Sequence, residues 1–539
     1  MADMALRPTL SRHLFVSLLI TLISIGLALA ACSDSADQAQ PADSQPDATA
    51  EVQQQVEQSQ QSDAQPAPQQ QAAEPPDRLQ ESMQQQAEQP SAAQSMTVAP
   101  RQGQQGYGAN GPYADSDGQS GQESAAPVPP VRQWLAEGVS LTPSVPAAFD
   151  EYGWSAVIEG DVLAVGAPYH DVLGEDTGAV FIFERIDDEW VETAYLLPPF
   201  ADPLGWFGRW LAIDQGRLVI GAPYEDVLTE DGSFVEDAGV AYVYEKVGGD
   251  WIRTGTLLPA VPVTGASFGW SVAIFGDRIA VSAWEDQVEG VGAGSVTVFR
   301  QHKGLWRAEA VLTPAEPTHR QMFGRDIELF NNVLVVGAPG DDTIAEDAGA
   351  VFVWHHYNHE WNFAGRLLAS DGLELDRLGS QVSLHGSWLV AGGYDHDNPL
   401  WSMGAVYVWK LDNLWNFHSK LTASDAQPGD WFGYATAIEG ERMVIGAPHR
   451  AHPESQTYRS GAAYAFELRD DEWVEVGVFG PVDAVLAGER AEFGWATDVS
   501  GSTVVVGAWL ADTEAGEDAG DAAVYEIPTE DASDPDPEQ

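Results

Sequence analysis

The 539-residue sequence predicts an all-β fold, a seven-bladed β-propeller of four-stranded antiparallel blades whose last blade is closed by the N-terminal strand. Three observations predict it. One repeat occurs seven times with a fixed internal spacing, each of the first six copies indicates four short strands, and the fourth strand that the last copy lacks is present before the first copy. Because one twisted four-stranded sheet cannot bury both faces alone, the seven sheets are expected to pack around a common axis.

Two short motifs define the repeat. An aromatic-Gly pair comes first, and a Gly-Ala-Pro-like triplet begins thirteen residues after that glycine in every copy. The glycines of the pair are Gly153, Gly208, Gly269, Gly324, Gly379, Gly433 and Gly494, and Leu378 replaces the aromatic residue of the fifth copy. The triplets begin at Gly166, Gly221, Ser282, Gly337, Gly392, Gly446 and Gly507. We interpret these glycines as structural rather than catalytic, because they recur in nearly every copy.

Four strands are predicted in each copy, separated by turn residues. In the first copy they are expected at 153–159, 162–168, 178–184 and 190–197, which are rich in β-branched, aromatic and small residues. A two-residue turn, Gly160-Asp161, sets the register of the first two strands, so Ile158 should face Leu163. The same register pairs apolar with apolar residues in the other copies. These pairs are Ile213–Leu218, Ile274–Ile279, Leu329–Leu334, Leu384–Leu389, Ile438–Met443 and Val499–Val504.

The alanine of the triplet has a predicted packing role. In the register above, Trp154 would lie opposite Ala167 and Trp270 opposite Ala283. A larger residue than alanine would then overpack the contact between blades.

The chain ends predict how the ring closes. The last copy stops near Ile527 without a fourth strand, and a surplus strand, Trp134 to Pro143, precedes the first copy. We expect this N-terminal strand to complete the last blade and to remove an exposed sheet edge.

The motif set resembles the FG-GAP repeat family, which includes the propeller of integrin α subunits and many bacterial surface proteins. The resemblance covers residues 134–527 and implies an adhesive or assembly role. The calcium loop of integrin-type repeats, Asp-x-Asp-x-Asp-Gly, lies between the two motifs. Here a tight hairpin takes up that span, so the calcium residues of the family do not carry over.

The N-terminal region indicates a lipoprotein. Residues 1–31 resemble a lipoprotein signal peptide, and Leu29-Ala30-Ala31-Cys32 resembles a lipobox, which implies lipidation of Cys32. Ser33 follows rather than Asp, which favours the outer membrane of a Gram-negative cell envelope. The alternative is an uncleaved membrane anchor with an incidental cysteine.

Flanking segments differ in composition from the repeats. Residues 32–130 are rich in Gln, Ala, Pro and Ser and are expected to form a disordered tether, whereas 131–530 form the propeller and 531–539 an acidic disordered tail.

The net charge of −57 limits the partners. So acidic a surface repels nucleic acid and anionic lipid headgroups, so membrane attachment is expected through the lipid anchor only. We expect a monomer that binds an extracellular or periplasmic protein or glycan.

The most variable loops join the second and third strands, and function concentrates in such loops. Their acids are weak candidates for calcium ligands, chiefly Asp341, Asp342, Glu346 and Asp347. Solvated surface acids are the preferred interpretation, and no cofactor is predicted. His355, His356 and His359 are interpreted as surface histidines, and the less acidic loop from His449 to Arg459 as a weak candidate contact patch.

No catalytic constellation is apparent, so the sequence predicts a non-enzymatic, lipid-anchored binding or adhesion module. Two alternatives stay open at this point. One is a propeller enzyme, a hydrolase or a quinone-type oxidoreductase with acids converging on the central channel, and the other is a purely structural envelope component.

Overall fold

The structure, a computed structural model of the full chain, describes residues 138–229, 231–397, 402–451, 459–481 and 490–527. The predictions for the signal peptide 1–31, Cys32, the tether 32–130, Trp134 and the tail 531–539 lie outside the described residues.

All regular elements of the described residues are β-strands. The chain enters the fold through β1 (Val139–Ser140). Blade 1 comprises β2 (Ser155–Glu159), β3 (Val162–Ala167), β4 (Ala179–Ile186) and β5 (Glu189–Leu196). Blade 2 comprises β6 (Leu211–Asp214), β7 (Arg217–Ala222), β10 (Val240–Val247) and β11 (Asp250–Leu257), with the small hairpin β8 (Val227–Leu228) and β9 (Phe234–Val235) inserted. Blade 3 comprises β12 (Phe268–Phe275), β13 (Arg278–Ala283), β16 (Ser295–His302) and β17 (Leu305–Leu312), with the hairpin β14 (Gln287–Val288) and β15 (Val291–Gly292) inserted.

The remaining blades repeat this order. Blade 4 comprises β18 (Ile327–Phe330), β19 (Val333–Ala338), β20 (Ala350–Tyr357) and β21 (Glu360–Leu367). Blade 5 comprises β22 (Gln381–His385), β23 (Trp388–Gly393), β24 (Ala405–Leu411) and β25 (Trp415–Leu421). Blade 6 comprises β26 (Ala435–Glu439), β27 (Arg442–Ala447), β28 (Ala462–Arg469) and β29 (Glu472–Phe479). Blade 7 comprises β30 (Ala496–Ser500), β31 (Thr503–Ala508) and β32 (Asp521–Glu526), together with β1.

The predicted closure of the last blade is confirmed. Strand β1 pairs antiparallel with β32, with Val139 opposite Val524, and Leu141 N–H donates to the carbonyl of Ala522 at 2.8 Å. The fourth sheet position of blade 7 is therefore filled from the opposite end of the described chain, and the fold is a seven-bladed all-β propeller.

The register of the first hairpin is also confirmed in all seven blades. Ile158 pairs with Leu163, and the six other predicted pairs occur as expected. The predicted pairing of Trp270 with Ala283 is wrong, because Ala283 pairs with Phe268. A register irregularity between Phe268 and Val272 moves the tryptophan out of the ladder.

Six of the seven triplets begin with a glycine that allows two blades to touch through their backbones. A Cβ atom on Gly166 would lie 2.1 Å from the carbonyl oxygen of Gly208 in the next blade. The same contact at 1.9 to 2.1 Å joins Gly221 to Gly269, Gly337 to Gly379, Gly392 to Gly433, Gly446 to Gly494 and Gly507 to Gly153. Any side chain at these positions would separate neighbouring blades, since no flexible group can move aside.

The hydrophobic core lies between blades. Each pair of neighbouring blades shares one cluster of buried side chains, including the pair formed by blades 7 and 1. In that last cluster, Val505 and Val524 of blade 7 pack with Ile158 and Leu163 of blade 1. The ring is therefore closed by the same apolar packing that joins the other blades.

Candidate functional site

The two faces of the propeller differ in their loops. We call upper the face that carries the loops between second and third strands and the crossings between blades. We call lower the face that carries the short hairpin turns. The innermost strands, β2, β6, β12, β18, β22, β26 and β30, surround a central channel of about 320 Å³. This volume lies at the small end of the range of small-molecule pockets, roughly 300–1,000 Å³.

The residue after the first repeat glycine borders the upper end of the channel in six blades, and in blade 3 it is Trp270, which packs against Arg209 and Arg325. The chain enters each innermost strand from the upper face, so this residue lies at the mouth. In six blades it is aromatic or arginine, and in blade 5 it is Ser380. We call the six the mouth cluster: Trp154, Arg209, Trp270, Arg325, Tyr434 and Trp495.

The aromatic rings of the mouth cluster contact each other across blade boundaries. The ring centroids of Trp154 and Trp495 are 5.3 Å apart, and those of Trp495 and Tyr434 are 4.3 Å apart. A second layer of rings packs around them: Tyr169, Trp206, Tyr224, Trp284, Tyr394, Trp431 and Trp509. Such contacts contribute roughly 0.5–1.5 kcal/mol each beyond area burial, so the mouth is a rigid aromatic surface.

Arg209 is the buried cation of this cluster. Its side chain is 5% exposed, and its guanidinium carbon lies 4.6 Å from the ring centre of Trp154 and 4.5 Å from that of Trp270. Among the described residues its guanidinium group has no hydrogen bond or ion pair, and its Nε is buried without an acceptor. Burial and the nearby Arg325 lower the pKa of Arg209 to about 10.

Arg325 places a second guanidinium beside the first. Its guanidinium carbon is 5.1 Å from the ring centre of Trp270, so that indole contacts both arginines. Its Nη1 is buried without a partner among the described residues. The indole faces attract both cations, but they supply no hydrogen-bond acceptors for the N–H groups.

Other buried arginines of the described residues are paired with carboxylates. The Nε of Arg278 donates to Glu309 at 2.8 Å, and Arg450 donates to Asp425 at 2.7 Å. Both arginines are buried to the same degree as Arg209. Buried charges are ordinarily paired, so the unpaired guanidinium at the mouth is the exception within this fold.

Three carboxyl groups line the channel below the mouth. Burial raises the pKa of Asp326 to about 6, that of Asp498 to about 7 and that of Glu328 to about 8, and the neighbouring carboxylates raise the last further. Sequence reasoning missed these groups. They stand in innermost strands among apolar residues, where nothing in the sequence distinguishes them from other strand acids.

Two of the channel acids, Asp498 and Asp326, join neighbouring blades. Asp498 of blade 7 accepts the N–H of Ile158 in blade 1 at 2.8 Å, and Asp326 of blade 4 accepts the N–H of Val382 in blade 5 at 2.8 Å. Ser271 of blade 3 donates its hydroxyl to Asp326 at 3.0 Å. Their oxygens therefore satisfy backbone groups on the inner edge of the blades.

At the lower end of the channel, four blades contact the next blade through an oxygen at the end of the innermost strand that accepts a backbone N–H. Glu159 of blade 1 accepts the N–H of Gln215 in blade 2 at 2.6 Å, and Ser500 of blade 7 accepts the N–H of Gly160 in blade 1 at 3.1 Å. Asp214 and Glu439 make the corresponding contacts in blades 2 and 6. The acids at this end are therefore structural.

The weak calcium candidates are not brought together around one point. Asp341 is buried and accepts from Gln321 at 2.8 Å and from Arg366 at 3.1 Å, whereas Asp342 is exposed and accepts the N–H of Asp347. Glu346 is exposed. Within the described residues, no group of three or more His, Cys, Asp and Glu side chains is arranged to hold a metal ion. Calcium binding at these residues stays a prediction.

The candidate histidines have separate environments. His355 accepts the indole N–H of Trp415 at 3.2 Å, and His356 lies against Arg278. The loop from His449 to Arg459 is described only at its ends, where the ring of His449 stacks on Trp431 with centroids 3.4 Å apart.

No helix of the described residues is long and apolar enough to cross a membrane.

Comparison with known protein families agrees with the repeat. The FG-GAP repeat matches six segments that together cover more than half of the chain: 136–183, 251–299, 306–354, 361–409, 415–466 and 484–525. Residues 184–250 are unmatched, yet they contain β6, β7 and β10 of blade 2. No curated protein matches the chain in sequence.

Proposed function

The chain belongs to the FG-GAP repeat family, and from that premise we propose that it is a non-enzymatic binding module, attached to the cell envelope by a lipid on Cys32. The upper face would meet an extracellular or periplasmic protein or glycan, and the protein would act as a monomer. A propeller with FG-GAP repeats fits a binding or structural module. The outer membrane of a Gram-negative cell is the proposed location.

The observation that carries the binding proposal is the mouth cluster. It gathers aromatic and arginine side chains from six blades at the centre of the face with the most variable loops. Aromatic residues and arginine are the side chains that dominate binding energy at interfaces. A purely structural ring would have no need for an unpaired buried cation such as Arg209, and that favours binding over a purely structural role.

The enzymatic alternative would rest on the channel acids. Asp326 and Asp498 have raised pKa values, which is a property of catalytic acids. However, their oxygens accept backbone N–H groups of adjacent blades, which supports a structural role. Turnover of a glycoside or alcohol panel by the full chain, lost in Asp498→Asn, would favour the enzyme instead.

Photocrosslinking in intact cells tests the proposed face. A benzophenone amino acid replaces Trp431 on the upper face or, as the matched control, the half-buried Trp361 on the lower face. We expect adducts with a cell-surface protein or glycan at position 431 and none at 361. Adducts at 361 alone, or at neither position, would contradict binding through the upper face.

Cell fractionation tests the anchor separately. The Cys32→Ser variant is expected to leave the membrane fraction and to lack the acyl mass at its N-terminus. Retention of the variant in the membrane would favour the uncleaved anchor instead.

A further inference from the structure

We propose that the mouth cluster binds a saccharide residue that carries a single carboxylate, with Arg209 and Arg325 taking the carboxylate and the indole and phenol faces beside them taking the sugar ring. This inference rests on the proposed function, because it names the class of ligand for the same face.

The arginine pair is a preformed anion site. Two guanidinium groups contact the same indole, Trp270, and neither has a carboxylate partner among the described residues. Like charges at close range repel, so holding them together without an ion pair is unfavourable for the ligand-free fold. Both arginines line the channel, so a carboxylate bound there could accept charge-assisted hydrogen bonds from them, which are the stronger kind. The geometry therefore favours an anionic ligand group.

The walls of the mouth favour a sugar ring around that group. Trp154, Tyr434 and Trp495 line the cavity and are each partly exposed, so aromatic surface is accessible next to the arginines. The indole N–H groups of Trp154 and Trp270 are buried without acceptors among the described residues. A sugar presents apolar C–H faces to aromatic rings and oxygens to N–H donors, and it needs both kinds of contact.

The charge of the molecule limits the ligand to few carboxylates. With a net charge of −57, the protein repels a polyanion over distances of about one Debye length, roughly 8 Å at physiological salt. Acids also lie close around the mouth, since, besides burial, the charges of Glu151, Glu285 and Glu492 raise the pKa values of the tyrosines that border it. One carboxylate can reach the arginines between these acids, whereas a polyuronate or a nucleic acid cannot do so without repulsion.

The inner strand edges argue against a peptide ligand. Peptides bound by propellers or sheets pair their backbone with free N–H and C=O groups of an edge strand. Here Asp498 and Asp326 already occupy the N–H groups of Ile158 and Val382 at the channel. A peptide carboxyl terminus is therefore treated as the competing outcome of the test.

Isothermal titration calorimetry of the full chain tests the proposal. The probe is a disaccharide with one terminal glucuronate, and its uncharged methyl ester, acetate, inorganic phosphate, hexagalacturonate and a tripeptide with a free carboxyl terminus are titrated in parallel. We expect the acidic disaccharide to bind at least ~10-fold more tightly than each of the others, because the ester loses a charge-assisted contact and the small anions lose the ring contacts.

Variants locate the site. Arg209→Gln is expected to weaken binding of the acidic disaccharide at least ~10-fold. Arg300→Gln removes the same charge from an arginine paired with Asp277 on the lower face and is expected to leave binding within about twofold. The unfolding midpoint of each variant shows whether it is folded.

Four results would overturn the inference. The first is no binding of the acidic disaccharide up to ~10 mM, and the second is an ester that binds as tightly as the acid. The third is acetate, phosphate, hexagalacturonate or the tripeptide binding more tightly than the disaccharide. The fourth is Arg300→Gln weakening binding of the disaccharide as much as Arg209→Gln does. Adducts at position 431 in the photocrosslinking experiment would in each case leave the proposed function standing. Absence of those adducts would remove the proposed function whatever the calorimetry shows.

Discussion

The carbonyl oxygen of Gly153 would lie only 2.0 Å from a Cβ atom placed on Gly507. The first glycine belongs to blade 1 and the second to blade 7, so this contact joins the two ends of the ring. Tyr152 also forms a parallel bridge to Gly520 of blade 7, with its N–H donating to the carbonyl of Ala519 at 3.1 Å. Ring closure thus depends on backbone contact as well as on the shared apolar cluster.

Gly507→Ala is therefore expected to destabilise the propeller by about 1–3 kcal/mol, because overpacking against a backbone atom forces the two blades apart. The measurement is the denaturant midpoint of the full chain. Gly501→Ala is the control: it lies in a turn with φ of 61° and nothing within 4 Å of an added Cβ, so it tests backbone strain without a clash. A midpoint for Gly507→Ala no lower than that of the control would contradict the contact.

A second prediction concerns the closing strand. Leu141 is 2% exposed and belongs to the cluster shared by blades 7 and 1, whereas Val139, two residues earlier, is 56% exposed. Leu141→Ala is expected to cost about 2–5 kcal/mol, and Val139→Ala much less. Equal shifts of the denaturant midpoint would indicate that burial of this segment does not stabilise the ring.

The repeat and its register could be predicted because each depends on local spacing. The thirteen-residue interval and the two-residue turns set which residues face each other, so Ile158 and Leu163 could be paired from the sequence alone. The register irregularity between the third and fourth strands, such as the one between Ile182 and Phe183, was not foreseen. Neither glycine nor proline marks it in blade 1, although Gly255, Gly365 and Gly477 stand next to the same irregularity in blades 2, 4 and 6.

Contacts between one blade and the next could not be predicted from the sequence. Gly178 repeats in every copy and has φ of 84°, and its added Cβ would lie 2.1 Å from the carbonyl of Phe207 in blade 2. Its recurrence was visible as a column of glycines before the third strand. Its role depends on the neighbouring blade, which spacing within one repeat does not specify.

The candidate site was foreseen only in part. We expected a binding surface among the upper-face loops, and the mouth cluster lies at the centre of that face. Trp154 and Trp270 were expected to pack on triplet alanines, but the irregular start of the inner strand of blade 3 releases Trp270 to contact Arg209 and Arg325. Whether an arginine has an ion-pair partner depends on how the seven blades are arranged, so it could not be predicted from the repeat that contains the arginine.

A third prediction uses the titration of Asp498. Its pKa in the fold is about 7, against an ordinary value of about 3.9 for an unfolded aspartate. The folded state therefore binds the proton more tightly than the unfolded state, and the resulting stability is present below pH 4 and lost as the pH rises through 7. Asp498→Asn, which cannot ionise, should gain stability relative to the wild type as the pH increases.

Melting temperatures at pH 5 and pH 8 check this prediction. Converted to free energies of unfolding, the advantage of Asp498→Asn over the wild type is expected to be larger at pH 8 than at pH 5 by about 1–2 kcal/mol. Subtracting the value for the wild type at each pH removes the effect of the general charge repulsion, which both proteins share. A difference that is constant with pH, or one that is smaller at pH 8, would show that folding does not raise the pKa of the Asp498 carboxyl.

The last prediction separates a structural from a ligand-binding role for Arg209. An arginine that merely filled the aromatic mouth would stabilise the fold through its contacts with Trp154 and Trp270, and Arg209→Met would lower the free energy of unfolding. Because the guanidinium is buried without a carboxylate among the described residues and stands beside Arg325, we expect the opposite. Replacing a poorly compensated buried charge by an apolar side chain of similar volume is often neutral or stabilising, by about 1–4 kcal/mol.

Arg278→Met is the matched control for this prediction. Arg278 is 7% exposed, as buried as Arg209, but its Nε donates to Glu309 at 2.8 Å. Its removal leaves that carboxylate without its main partner and is expected to lower the free energy of unfolding by about 1–3 kcal/mol. Denaturant unfolding of both variants in parallel is the measurement. Loss of stability in Arg209→Met as large as that in Arg278→Met would assign Arg209 to the architecture of the ring and remove the reason for expecting an anion at the mouth.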